Sequence, residues 1–220
     1  VATVLTDTKA AFDAGRWKQA ARGYSQLKSI FSRHPDLAAA AGGGKGADAA
    51  ILLILRMFVI AQSRAGQHRR AVRSYVEVAE LSERRGEIAE LEYEWEGAAR
   101  ESMALGRWAD AEQFARRAVE AGRRHDDATD LARALSVLGE TLLGQRLLIE
   151  CQAALKESLD TLAASDEDAD VDRAVTLEKL ARAATEARDR AAAVHWIDAG
   201  ALLSGLQPQM ARPRHGSMIA

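Results

Sequence analysis

Residues 105–119 read LGRWADAEQFARRAV, and two other stretches repeat their spacing: AGRWKQAARGYSQL at 14–27 and AGQHRRAVRSYVEV at 65–78. Each places a glycine, then Trp or His two residues on (Trp17, His68, Trp108), then alanine (Ala20, Ala71, Ala111). Tyr24 and Tyr75 follow four residues after that alanine, Phe114 follows after three, and an apolar residue closes the pattern. A small, aromatic and apolar residue at spacings of four and three lie on one face of a helix. Weaker copies occur in QRLLIECQAALKESL and ARDRAAAVHWIDAG, anchored on Cys151 and Ala193. The anchors Ala20, Ala71, Ala111, Cys151 and Ala193 are separated by 51, 40, 40 and 42 residues, a period that marks a stacked repeat.

Bulk composition agrees. The chain has 220 residues, 46 of them alanine, with no asparagine and three prolines, Pro35, Pro208 and Pro213, all outside residues 36–207. Val, Ile and Thr together number only 27, so helix is favoured over strand. A net charge of −2 with interleaved signs argues against nucleic acid or an anionic membrane as partner, since both select a basic surface. The longest apolar run, AILLILRMFVIA at 50–61, contains Arg56 and is too short to span a bilayer. One cysteine, Cys151, excludes an internal disulfide framework and fits a reducing cytoplasm. Starting at Val1, the chain shows no basic segment followed by an apolar one, so no signal peptide is expected.

Upstream of each anchor lies a second helical segment, clearest in ARALSVLGETLL with Leu138 and Gly139, and in YEWEGAARESMAL with Trp95. These residues resemble the tetratricopeptide repeat, in which a helix bearing Trp, Leu and Gly is followed by a turn and a second helix with small and aromatic positions. The period of about 40 resembles the long-helix variants of bacterial regulators. The resemblance implies an all-α, right-handed superhelical solenoid of five antiparallel helical hairpins, at approximately 1–37, 48–85, 87–124, 126–164 and 170–204. Residues 38–48, rich in glycine, are expected to form a flexible insertion, and 205–220 a loose tail. The apolar start of hairpin two is expected to be covered by neighbouring hairpins, or to dock a partner protein or serve self-association as a homo-oligomer.

Local motifs for chemistry fail on inspection. Lys45 in GGGKG lacks the first glycine and the hydroxyl residue of a phosphate loop, whose places hold Ala39 and Gly46, and no strand precedes it. Asp166, Asp168 and Asp170 alternate as in a calcium loop, but Val171 and Leu177 occupy its glycine and glutamate places. A helix-capping role is expected for them, and for Asp126 and Asp127 before hairpin four. The histidines His34, His68, His125, His195 and His215 offer no pair on one helical face, so no metal or other cofactor is expected. Cys151 reads as a buried thiol, His68 as a packing residue, and Trp17 and Trp108 as inter-hairpin packing rather than ligand stacking.

What remains is a binding role. The resemblance implies that the first helices of the hairpins line a concave groove. The positions carried over are Arg56 and Arg64; Tyr93, Glu96, Arg100 and Met103; Arg133, Ser136 and Glu140; and Glu178, Arg182 and Thr185. Arg56, Arg100, Arg133 and Arg182 are candidates to meet ligand carboxylates, or to form internal ion pairs. The family's carboxylate clamp relies on Asn and Lys; here the corresponding positions hold Leu5, Lys9, Arg56 and Ile60, which disfavours a chaperone-tail receptor. The expectation is a non-enzymatic scaffold that binds a protein or peptide, with a sensory module of a larger bacterial transcription regulator or signalling ATPase as the alternative.

Overall fold

Each repeat turn closes in the same way in the computed structural model, which describes residues 1–88, 90–125, 127–164 and 169–203. One residue per turn adopts the left-handed conformation: Gly15, Gly66, Gly106, Arg146 and Arg188, with φ between 61 and 70°. The amide of the next residue donates back to a carbonyl five positions earlier, as in Arg16 to Ala11 (2.8 Å) and Arg107 to Ser102 (2.9 Å). This bond satisfies a carbonyl that the helix end would orphan. Glycine makes the turn without a steric cost at the first three sites. At the last two, arginine adopts the same conformation because the packed hairpins on either side impose it.

The turns join α1 (Ala2–Asp13) to α2 (Trp17–Arg33), α4 (Gly46–Arg64) to α5 (His68–Arg85), α6 (Leu91–Ala104) to α7 (Trp108–His125), α8 (Ala128–Gly144) to α9 (Leu148–Ala163), and α10 (Asp170–Glu186) to α11 (Arg190–Leu203). The result is an all-α solenoid of helix-turn-helix units. The anchors Ala20, Ala71, Ala111, Cys151 and Ala193 are all buried, since a small side chain lets two helices cross closely. Gly139 serves the same end, because an added Cβ there would lie 2.5 Å from Leu155.

The segment expected as a flexible loop is instead helical. α3 (Pro35–Gly42) starts with proline in its first turn, carries Asp36 there and continues through four alanines; each of these features favours helix. A short 3-10 turn, Gly43–Lys45, follows, and the glycines are concentrated at that joint. α3 lies on α4, burying Ala38 and Ala50. The apolar run of α4 is thereby largely covered from within the chain, by α2, α3 and α5, leaving Leu53 60% exposed. No described helix is long and apolar enough to cross a membrane.

Two large apolar cores, with two small ones beside them, run along the described residues of the stack. One joins α1 to α4 around Tyr24, Leu27 and Phe31. The larger joins α4 to α11 around Trp95, Leu135 and Leu155. At the far end Val194, Ile197 and Leu202 of α11 are exposed.

Candidate functional site

First helices of successive hairpins pack directly where α6 meets α8 and α8 meets α10, whereas the backbones of α4 and α6 stand apart. Polar side chains bridge that gap at both ends. At one end Arg56 Nε donates to Glu94 Oε1 at 2.8 Å, and Ser82 Oγ donates to the same oxygen at 3.0 Å. At the other, Ser63 Oγ donates to Glu101 Oε1 at 2.5 Å and His68 Nδ1 lies 2.7 Å from Glu101 Oε2. Between them opens a cavity of about 550 Å³ lined by Ile60, Ser63, Arg64, Tyr75, Tyr93, Glu96, Gly97, Arg100 and Glu101.

Four of the expected groove residues, Arg64, Tyr93, Glu96 and Arg100, therefore share one cleft. Arg100 Nε donates to Glu96 Oε1 at 2.6 Å and holds the buried carboxylate in place, while its own side chain is half exposed. Tyr93 is 47% exposed. Arg64 is exposed and has no acidic partner among the described residues. Tyr75 reaches the cleft from the second helix of hairpin two because Gly97 has no side chain; a Cβ there would lie 2.3 Å from the tyrosine ring. Burial foremost, then the neighbouring Tyr93 and Glu101, push the Tyr75 hydroxyl above the ordinary tyrosine range, so it stays a donor.

The remaining groove positions are separated from this cleft. Arg56 is held by Glu94. The Met103 sulfur accepts from the Thr141 hydroxyl at 3.4 Å. Arg133 pairs with Asp130. Ser136 and Glu140 are both held by the buried Lys179, whose Nζ lies 2.9 Å from Ser136 Oγ and 3.1 Å from Glu140 Oε2. Thr185 bonds its own helix at Ala181. Glu178 and Arg182 are exposed. Of the four arginines considered for ligand carboxylates, Arg56, Arg100 and Arg133 thus form internal ion pairs, and Arg182 has no acidic partner among the described residues. Sequence reasoning missed Ser63, Gly97, Glu101 and Lys179, and placed Ile60 only at a clamp position without the clamp's residues. The one signal was Gly97, a mid-helix glycine that marks a close approach.

Glu92, one turn before Glu96 on α6, is buried with Oε1 unpartnered. Its carboxyl is pushed well above the ordinary range by burial, then by the Glu96 carboxylate, with Asp130 adding and Arg133 of α8 opposing. The folded state therefore keeps a proton that the unfolded chain releases above the ordinary glutamate range, so stability falls as pH rises through that window. Replacing Glu92 by glutamine keeps a donor toward Glu96 and removes the titration. Urea unfolding should show Glu92→Gln gaining about 1–3 kcal/mol over the parent at alkaline pH and little at about pH 5. Parallel pH profiles for the two proteins would contradict this assignment.

Other expected features fall as follows. Asp127 caps α8, its Oδ1 accepting from the Asp130 amide at 2.9 Å. His125, Asp127 and Asp130 come within metal-binding reach of one another, but the Arg133 guanidinium already neutralises Asp130 and the cap engages Asp127. Asp170 pairs with Arg173 at 3.1 Å. Asp126, Asp166, Asp168 and the expected tail at 205–220 lie outside the described residues. Cys151 is buried, and its thiol is pushed up to about 11 chiefly by burial, with Glu186 adding, which keeps it unreactive. Trp108 packs on Gly144 of the next hairpin, while Trp17 packs within its own hairpin, edge-on to Phe12 at 5.2 Å. His68 hydrogen-bonds Glu101 rather than packing as the tryptophans do.

No protein-family model and no curated protein matches the chain. Solved structures do. The nearly identical TPR-like repeats of a kinesin light chain candidate from Podosopora anserina superpose with a TM-score of 0.70 at 14% identity, covering 92% of this chain and 94% of that one. BtubC (BKLC) from P. vanneervenii gives 0.66 at 18% identity, covering 99% and 93%. MamA from Desulfovibrio magneticus gives 0.65 at 16% identity, covering 92% and 94%. The likeness spans fungal and bacterial chains and so does not single out the long-period bacterial type: what the chain shares with them is a tetratricopeptide-like, all-helical repeat fold.

Proposed function

We propose that the chain is a non-enzymatic interaction scaffold whose α4–α6 cleft takes a peptide or protein segment carrying an acidic side chain beside an apolar one. The observation that supports this most is the pairing pattern inside the cleft. Glu96 Oε1 and both Glu101 oxygens are already engaged by Arg100, Ser63 and His68, whereas Arg64 has no acidic partner among the described residues and Arg100 is half exposed. The cleft therefore presents the guanidinium donors of Arg64 and Arg100 to a ligand carboxylate, flanked by the apolar surface of Ile60 and the Tyr93 ring. A repeat fold supports many roles, so the reading rests on these side chains. A reducing, cytoplasmic setting suits a chain whose one cysteine is buried.

Affinity purification with mass spectrometry, run in parallel on the parent chain and on Arg64→Glu, tests the proposal. The parent is expected to recover a partner that the variant loses at unchanged helical content. A parent that recovers nothing and stays monomeric, or a partner retained equally by the variant, would overturn it.

A further inference from the structure

Two residues apart on a helix point to nearly opposite sides, about 200° around its axis. Ile60 and Arg64 of α4 line the cleft just described, whereas Phe58 and Gln62 line a second cavity behind it, of about 320 Å³, closed by Lys18, Ala21, Arg22 and Ser25 of α2 and by Gln67 and Arg70. Three cations line this space and no acid does. By contrast Lys28, further along α2, is paired with Glu77 at 2.5 Å. No acid among the described residues pairs with Lys18, Arg22 or Arg70; Arg70 has only a long bond, 3.4 Å, to the Gln67 amide oxygen.

Gln62 is the second, independent feature. It is 4% exposed, and its Oε1 is buried with no hydrogen-bond partner. A buried amide left unsatisfied is costly. It lines this cavity. An amide presents one donor group and one acceptor whichever way it is turned: turned one way its NH2 donates to a phosphoryl oxygen, turned the other its oxygen accepts from a ligand hydroxyl.

We propose that this cavity binds a phosphate monoester, with Lys18, Arg22 and Arg70 neutralising the phosphoryl charge and Gln62 and Ser25 supplying the uncharged hydrogen bonds. Three cations match a dianion; a single carboxylate would leave two of them uncompensated. The volume, about 320 Å³, holds a phosphoryl group with a few attached atoms. The site is independent of the α4–α6 cleft.

Isothermal titration of the whole chain with inorganic phosphate, O-phosphoserine and a short phosphoserine peptide, at fixed ionic strength, tests it. Submillimolar binding is expected, weakened at least tenfold by Arg70→Gln and by Lys18→Gln, and unchanged by Arg64→Glu on the other side of α4. An NMR shift of the Gln62 side-chain amide should accompany saturation. Equal affinity for phosphoserine and its peptide supports a free small molecule as the source; tighter binding of the peptide supports a phosphorylated partner side chain. Heats reproduced by sodium chloride at the same ionic strength, or binding indifferent to both the Arg70 and the Lys18 substitution, would overturn the proposal.

Discussion

An Arg56→Leu protein is expected to be less stable than the parent by about 3 kcal/mol, because removing one member of a buried ion pair strands the other. Glu94 is almost wholly buried, its Oε2 is already unpartnered, and burial holds its carboxyl above the ordinary range despite the opposing Arg56 and Ser82. With the guanidinium gone, the carboxyl titrates higher still, and taking up a proton relieves part of the penalty at low pH. The loss should therefore be larger at about pH 9 than at about pH 5. Chemical denaturation at both values reads this directly. Adding Glu94→Gln, which still accepts from Ser82, should restore much of the stability, and strict additivity of the two substitutions would show that the pair is not coupled.

Trp95→Ala is expected to cost about 3–5 kcal/mol. The indole is fully buried at the centre of the larger core, stacked on Phe114 with centroids 5.8 Å apart and covered by the Arg117 guanidinium at 4.6 Å. Many members of that core are alanines, among them Ala98, Ala99, Ala115 and Ala118, whose methyl groups cannot extend to fill the space the indole leaves. Because α6 carries Trp95 on one side and Tyr93, Glu96 and Arg100 on the other, the variant should also blunt cleft binding. A loss below about 1 kcal/mol would mean that the core repacks, contrary to this reading.

The repeat was legible because its determinants are local. A small residue three or four positions from an aromatic, and a glycine before the helix, carry the same meaning in every unit. The structure buries each anchor and repeats each turn accordingly, even where Arg146 and Arg188 replace glycine. Residues 38–48, expected as a flexible insertion, are helical because four alanines and the proline at the helix start outweigh the glycines at 42–44 and 46. Glycine content suggested freedom, whereas the backbone uses glycine only at the joint, where Gly43 and Gly46 take positive φ.

The cleft was legible in part. Helical spacing put Arg64, Tyr93, Glu96 and Arg100 on the first helices of adjacent hairpins, but it put Arg56, Arg133, Glu140, Glu178 and Arg182 in equivalent places. Only tertiary packing separates α4 from α6 while pressing α6 onto α8 and α8 onto α10, so the same kind of position is open in one place and occupied by Lys179 in another. The unpartnered Gln62 amide was likewise invisible, because satisfaction of a polar group depends on what other segments bring to it. The sequence by itself thus determined the all-helical repeat, its turns and its small-residue crossings, all set by neighbours three or four residues away. Which polar side chains pair and which remain to meet a partner was decided by the stacking of hairpins 20 to 50 residues apart, since charge neutralisation and burial depend on distance in space rather than along the chain.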